Sequence, residues 1–219
     1  MSFDGAAAAI LAPPASRSVK PEPDAGLVRQ AALGYWAARR HMLYYQAIFQ
    51  FAAVAGQDAR NVLDVGCAGT DYVNWLYWIP DRYVLDLEIA RPPPGTHAIE
   101  MNFLDYRPES KFDLVLCCQV LEHISEPVAF CRHLKEVAIN LIVTVPYRWL
   151  GKAPGHVNDP VDEIKLESWM ELKPNAWQLV QEPFREQRLI ALYNLGEGPE
   201  FRYTKQMILA AIAQRMDEA

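Results

Sequence analysis

Two glycines and two carboxylates carry the first chemical signal. Gly66 and Gly69 interrupt the run Val62-Leu63-Asp64-Val65-Gly66-Cys67-Ala68-Gly69-Thr70-Asp71-Tyr72, where an apolar stretch ends. Glycine lets a strand turn sharply and lets a ligand approach the backbone closely. Asp86 follows in Leu85-Asp86-Leu87-Glu88, 22 positions after Asp64. An acid about 20 residues beyond such a turn is placed to accept ribose hydroxyls. The turn departs from the G-x-G-x-x-G spacing, with Ala68 at the second glycine and Asp71 near the third. An acidic group facing a pyrophosphate is unfavourable. A nicotinamide-dependent oxidoreductase is therefore the weaker reading, and a nucleoside bearing a cationic, zwitterionic arm fits better. With no ligand at all, the glycines would serve only a tight turn.

These residues need a scaffold, and the apolar pattern supplies one. Strand-like runs cover Asn61–Val65, Tyr83–Leu87, His97–Met101, Phe112–Cys118 and Leu141–Val145, with a late pair at Ala176–Val180 and Arg188–Tyr193. Helical patterns run through Trp75, Leu76 and Trp78, over Pro127–Val137 and over Thr204–Met216. Alternating β and α units predict a doubly wound, mostly parallel α/β sheet. Ligands in such sheets bind outside the carboxyl ends of the strands, where the glycine turn and Asp86 fall. Residues 1–25, rich in Ala, Pro and Ser, read as a flexible tail. Residues 26–219 read as a single domain that begins with a lid helix over 26–56, in which Trp36, Arg40 and Tyr44 are spaced i, i+4, i+8.

Composition narrows the function classes. The chain has 219 residues, a formal charge of −6, 51% apolar and 22% charged residues, as expected of one globular domain. The acidic balance argues against a nucleic-acid partner held through phosphate neutralisation. Cys67, Cys117, Cys118 and Cys131 form no CxxC pair and suit buried thiols in a reducing, cytoplasmic setting. The apolar patch Ala6–Leu11 follows Asp4 and stops at Pro13 and Pro14, which does not read as a signal peptide. No apolar run approaches the ~20 residues of a membrane span.

The pieces VLDVGCAGTDY, YVLDLE, FDLVLCCQVLEHISEP and LIVTVPY, in this order, resemble motifs I, post-I, IV and the following strand of class I S-adenosylmethionine-dependent methyltransferases. The resemblance covers about Asn61 to Tyr147, with an extension to Tyr193. It implies a Rossmann-like, seven-stranded sheet with an antiparallel last strand, S-adenosylmethionine as cofactor and S-adenosylhomocysteine as product. It implies that Asp64 and Gly66 shape the methionine end of the site with the backbone of Cys67, Ala68 and Gly69. Asp86 would hold the ribose hydroxyls, and Leu87 would pack on adenine. Asn102, followed by Phe103, stands where the family often has an acid near the adenine amine, and an amide oxygen can still accept from it. The backbone at Cys118 and Gln119 would pass beneath the methionine portion. The fuller pattern, Tyr-Trp…Arg early and His-x-x-Asp-Pro-Val-Asp late, resembles bacterial enzymes that modify sugars or surface polysaccharides. It implies methyl transfer to a hydroxyl of a small-molecule or glycan-like acceptor. The alternative is a non-catalytic cofactor-binding partner protein, for which the departures at Ala68 and Asn102 leave room.

Several side chains would face the acceptor. His123, in Gln119-Val120-Leu121-Glu122-His123, reads as a general base or as a local loop cap. His156 is a weaker catalytic candidate; its segment also reads as a lead into a helix, with Asp159 before Pro160 as N-terminal cap. His156, Asp159 and Glu163 are spaced too loosely for a metal site, so no metal is expected. Tyr147, Arg148 and Trp149 could cradle a polar substrate or simply pack their loop. Tyr35, Arg39, Arg40 and Tyr44 could close over ligand, or belong to an amphipathic helix with core aromatics and solvated arginines.

Overall fold

The structure is a computed structural model that describes residues 34–150, 153–183 and 186–196. The expected tail, the first part of the lid helix and the Thr204–Met216 helix lie outside the described residues. Seven strands form one sheet: β1 Asn61–Val65, β2 Asp81–Asp86, β3 His97–Glu100, β4 Phe112–Cys118, β5 Ala138–Pro146, β6 Ala176–Gln181 and β7 Gln187–Asn194. Their order is β3-β2-β1-β4-β5-β7-β6. Strands β1 to β5 pair in parallel, and β7 runs antiparallel to both β5 and β6. This is the expected α/β architecture with its antiparallel last strand. In register, Val65 lies opposite both Leu85 and Cys117. The carboxyl ends of β1, β2 and β4 therefore finish level with one another, at the point where the strand order reverses.

Burial on both faces explains the near-continuous apolar runs of the central strands. One face carries Val62, Val84, Leu114, Leu116, Ile142, Ile190 and Leu192. It packs against helix α1 (Leu43–Ala55) through Tyr45, Ile48 and Ala52. The other carries Leu63, Val65, Leu85, Val115, Cys117, Leu141 and Val143. There α2 (Pro127–Val137) contributes Phe130 and Leu134, and α3 (Glu163–Met170) contributes Leu166, Trp169 and Met170. The two sets alternate along each strand, as the pleat requires.

Three local expectations are corrected. The first is the continuous lid helix: a helical turn over 34–39 ends before the extended Met42, and α1 starts afresh at Leu43. The Glu182 carboxylate, just beyond β6, accepts the N–H groups of Leu43 and Tyr44 at 3.0 Å each. A buried carboxyl group thus caps the new helix from a site 138 residues away. The second is the helix after β1, which is replaced by one 3-10 turn, Tyr72–Trp75. Tyr72 and Trp75 lock this segment against Trp36 and Tyr45, with Tyr72 and Tyr45 ring centroids 5.1 Å apart. Pro80, immediately before β2, leaves little room for a longer helix. The third is the α3 cap: Asp162, in place of Asp159, accepts the Lys165 N–H at 2.9 Å.

Candidate active site

A cavity of about 300 Å³ opens at the level ends of β1, β2 and β4. It is lined by expected residues from five separate segments: Tyr35; Gly66 and Ala68; Asp86 and Leu87; Asn102 and Phe103; Gln119 and His123. Backbone conformation makes the floor. Gly66 sits at φ 78°, and a Cβ there would meet Val120 Cγ2 at 2.4 Å. Only glycine fits that position. Ala68 and Gln119 are also left-handed, at φ 47° and 57°. Gln119 is held by its N–H to the Thr144 carbonyl at 2.9 Å and by its amide donating to Thr144 Oγ1 at 3.0 Å.

Asp86 ties the glycine turn to the end of β2. Its Oδ2 accepts the Ala68 N–H at 2.9 Å and its Oδ1 accepts the Leu87 N–H at 2.7 Å. A carboxylate has further lone pairs, so the half-buried group can still take hydroxyl donors from the cavity. Asn102 Oδ1 accepts the Leu104 N–H at 3.0 Å, capping the 3-10 turn Phe103–Asp105. Leu87 is 75% exposed on the rim, while Phe103 is buried against Phe130, with ring centroids 4.8 Å apart.

Behind the turn lies a buried network. Asp64 is sealed in the core, where the Tyr72 hydroxyl donates to its Oδ1 at 2.6 Å. Burial, with a smaller push from Asp86, raises its carboxyl to about 7, against the lowering effect of the Tyr72 hydrogen bond. Asp64 therefore supports the turn without lining the cavity. Burial likewise pushes the Cys67 and Cys118 thiols up to about 12, which makes both poor nucleophiles. Gly69 faces a separate cleft with Thr70, Asp71 and the Pro92–Pro94 run.

The acceptor candidates divide. His123 reaches the cavity, and its Nδ1 pairs with the Gly155 carbonyl at 3.0 Å. His156 stands edge-on to it with ring centroids 4.6 Å apart, and Trp149 stacks on His156 at 5.8 Å. Asp159, expected as a helix cap, instead pairs with His156 Nδ1 at 2.7 Å. Glu163 turns away, accepting from the Tyr147 hydroxyl at 2.8 Å and lying 3.6 Å from Arg148. The trio Tyr147, Arg148 and Trp149 does not line the cavity. Of the N-terminal candidates, Tyr35 does, with the Arg39 guanidinium 3.8 Å above its ring. Arg40 is exposed and bonds His41, and Tyr44 is buried in the core beneath the Arg188 guanidinium.

Sequence reasoning missed the apolar lining of Val65, Leu85, Met101, Val120, Ile124 and Phe130. Val65, Leu85 and Met101 lie at or within one residue of the carboxyl ends of strands β1 to β3, and that position was the signal available. It also missed Glu122, which is 1% exposed and whose carboxyl burial raises to about 8. Among the described residues, Glu122, His123 and His156 bring metal-ligating atoms within 4.8 Å of one another. The expectation of no metal was argued on a different set, which the structure does not assemble.

No protein-family model and no curated protein matches the chain. Solved structures do. The N-methyltransferase NodS from Bradyrhizobium japonicum WM9, in complex with S-adenosylhomocysteine, superposes with a TM-score of 0.54 at 14% identity, covering 66% of this chain and 83% of that one. The Burkholderia thailandensis 1,6-didemethyltoxoflavin-N1-methyltransferase, with its substrate and S-adenosylhomocysteine bound, gives 0.53 at 14%, covering 81% and 91%. A SAM-dependent methyltransferase from Aquifex aeolicus gives 0.55 at 15%, covering 78% and 99%. The likeness is one of fold: the chain has the Rossmann-like fold of the class I S-adenosylmethionine-dependent methyltransferases.

Proposed function

We propose that this chain, built on the class I methyltransferase fold, is an S-adenosylmethionine-dependent methyltransferase acting on a hydroxyl of a small-molecule or glycan-like acceptor. The observation that supports it is the convergence of the Asp86 carboxylate, the left-handed Gly66–Ala68 turn and an apolar wall on one cavity. These fit the cofactor part by part. Asp86 accepts the ribose hydroxyls, Leu87 and Phe103 flank the base, and Asn102 lies beside it. The bare backbone at Gly66, with Gln119 opposite, receives the amino-acid arm. The cofactor, when bound, supplies a sulfonium methyl for in-line transfer.

The chain's own task is positioning, which can supply much of the acceleration when two reactants are held at near-attack distance. Tyr35, with Arg39 stacked on it, closes the near side as part of an N-terminal lid. His123 stands at the acceptor end, its ring orientation set by the Gly155 carbonyl, and activates the hydroxyl. The His156–Trp149 stack extends that end away from the cofactor and forms the acceptor's landing surface. The −6 charge fits a neutral or cationic acceptor better than a nucleic acid.

The test is incubation of the protein with methyl-labelled S-adenosylmethionine and a panel of polyols, glycans and phenols. Transfer of label with stoichiometric S-adenosylhomocysteine is the expected result. Folded protein that neither binds the cofactor nor transfers label to any acceptor would overturn the reading.

A further inference from the structure

We propose that Glu122, His123 and His156 bind a divalent transition-metal ion at the acceptor end of the cavity, and that the acceptor oxygen is taken up at one of the ion's open positions. The placement relative to the cofactor rests on the function proposed above; the metal site itself does not.

Four observations carry the site. First, the three side chains offer one carboxylate oxygen and two imidazole nitrogens within 4.8 Å of one another. Second, Glu122 is 1% exposed, and its Oε2 finds no hydrogen-bond partner among the described residues. A buried carboxylate oxygen without a donor is costly unless something positive meets it. Third, both histidines are anchored through Nδ1, His123 on the Gly155 carbonyl at 3.0 Å and His156 on Asp159 Oδ2 at 2.7 Å. This leaves Nε2 of each ring as the ligating atom. Metal-binding histidines almost always donate their other ring N–H in this way, to a carboxylate or a backbone carbonyl. Fourth, the two chain segments are stitched together before any ion arrives. The Glu122 carbonyl accepts the N–H groups of Val157 and Asn158 at 2.9 and 3.3 Å. The Asn158 amide donates to the Leu121 and Ile124 carbonyls at 3.0 and 2.6 Å.

Two nitrogens and one carboxylate suit zinc, manganese, iron or cobalt better than calcium or magnesium. Three protein ligands leave at least one position open, which is the arrangement of a reactive site rather than a structural one. His123 alone of the three lines the cofactor cavity, which sets the ion at that cavity's acceptor end. With the ion bound, His123 acts on the acceptor through the metal in place of taking its proton directly, and a hydroxyl held at the open position releases its proton to solvent more readily. Its oxygen lone pair forms the new C–O bond as the methyl's C–S bond breaks, and the sulfonium becomes a neutral thioether.

The test is titration of chelator-treated, full-length protein with Mn²⁺, followed by electron paramagnetic resonance, and with Co²⁺, followed by visible absorption. One ion per chain is expected for the wild type. Glu122→Gln, which keeps the side-chain shape, and His156→Ala should each weaken binding at least tenfold. Asp159→Asn, which removes the carboxylate paired with His156 Nδ1 and takes away no proposed ligand, should weaken it by roughly 10- to 100-fold. No stoichiometric binding by the folded wild type, or equal affinity in the wild type and all folded variants, would overturn the site. S-adenosylhomocysteine binding measured on the same metal-free protein separates the two proposals. Metal uptake without cofactor binding sinks the methyltransferase reading and keeps the ion, and cofactor binding without metal uptake does the reverse.

Discussion

The two ends of the cavity are built differently. The proposed cofactor end is made mostly of backbone: Gly66, Ala68 and Gln119 in left-handed conformations, with the Ala68 N–H held by the carboxylate at the end of β2. Its parts fall in strand order at the ends of neighbouring parallel strands. The proposed acceptor end is made of side chains, Glu122 and His123 from the turn after β4 with His156 and Asp159 from the segment after β5. A backbone-built end suits a ligand shared by many proteins of one fold, whereas a side-chain-built end can be exchanged with the acceptor. The comparison can be broken at either end separately.

The largest effect is expected at the acceptor end. His123→Ala should lower turnover by about 10²- to 10⁴-fold, the range expected when the group that activates the acceptor hydroxyl is lost, whether it acts as base or through a bound ion. Its affinity for S-adenosylhomocysteine should change little. Steady-state kinetics beside calorimetry checks this, and a parallel fall in both would mean the two ends are not separate. At the cofactor end, Gly66→Ala puts a methyl 2.4 Å from Val120 Cγ2 at φ 78°. The left-handed penalty and the overpacking together should cost about 2–5 kcal/mol in a urea melt.

How much of each end was legible in the sequence follows from the same contrast. Strands β1 and β4 fall where the apolar runs put them, and the glycine turn and Asp86 lie where their spacing in the sequence places them. Local residues set that geometry. The break at Met42 was not legible, because the carboxylate that caps α1 belongs to Glu182, which follows β6. Glu122 looked like part of a motif, since the partner that gives it meaning, His156, lies on another strand's loop. Asp159 and Asp162 both precede α3, and sequence alone did not separate the histidine's partner from the helix cap. Side-chain clusters that form across loops leave no periodic trace in a single chain.

A pH experiment sharpens the cofactor end. The Asp64 carboxyl is raised to about 7 when folded, from an ordinary value of 3.8, chiefly by burial. Tyr72 donates to it, and Asp86, Cys67, Cys117, Cys118 and Tyr45 are the further titratable groups coupled to it. The folded state therefore holds the proton more tightly than the unfolded state does. The stability that this group contributes is fully present below about pH 4 and is lost as pH rises through about 4 to about 7. Between pH 5 and pH 8 the loss from this group should be roughly 3 kcal/mol, and Asp64→Asn should remove that part of the slope while leaving the part that the buried Glu122 carboxyl adds over the same range. Denaturant midpoints at the two pH values read the difference. The smallest effect is expected from Ala68→Gly, which relieves a non-glycine residue at φ 47°. A gain of about 0.5–1 kcal/mol is expected in thermal or urea unfolding, after the added chain entropy of glycine is offset.

The most direct test of the central claim is calorimetric titration of S-adenosylhomocysteine into the wild type and Asp86→Ala. Asp86 anchors the Ala68 and Leu87 N–H groups, and in the proposed function its remaining lone pairs accept the ribose hydroxyls. Two charged hydrogen bonds at about 1.5 kcal/mol each correspond to roughly a 100-fold loss of affinity. One-to-one binding by the wild type, weakened by about that factor in Asp86→Ala, is the expected result. No binding by the folded wild type, or equal binding by both proteins, would contradict it.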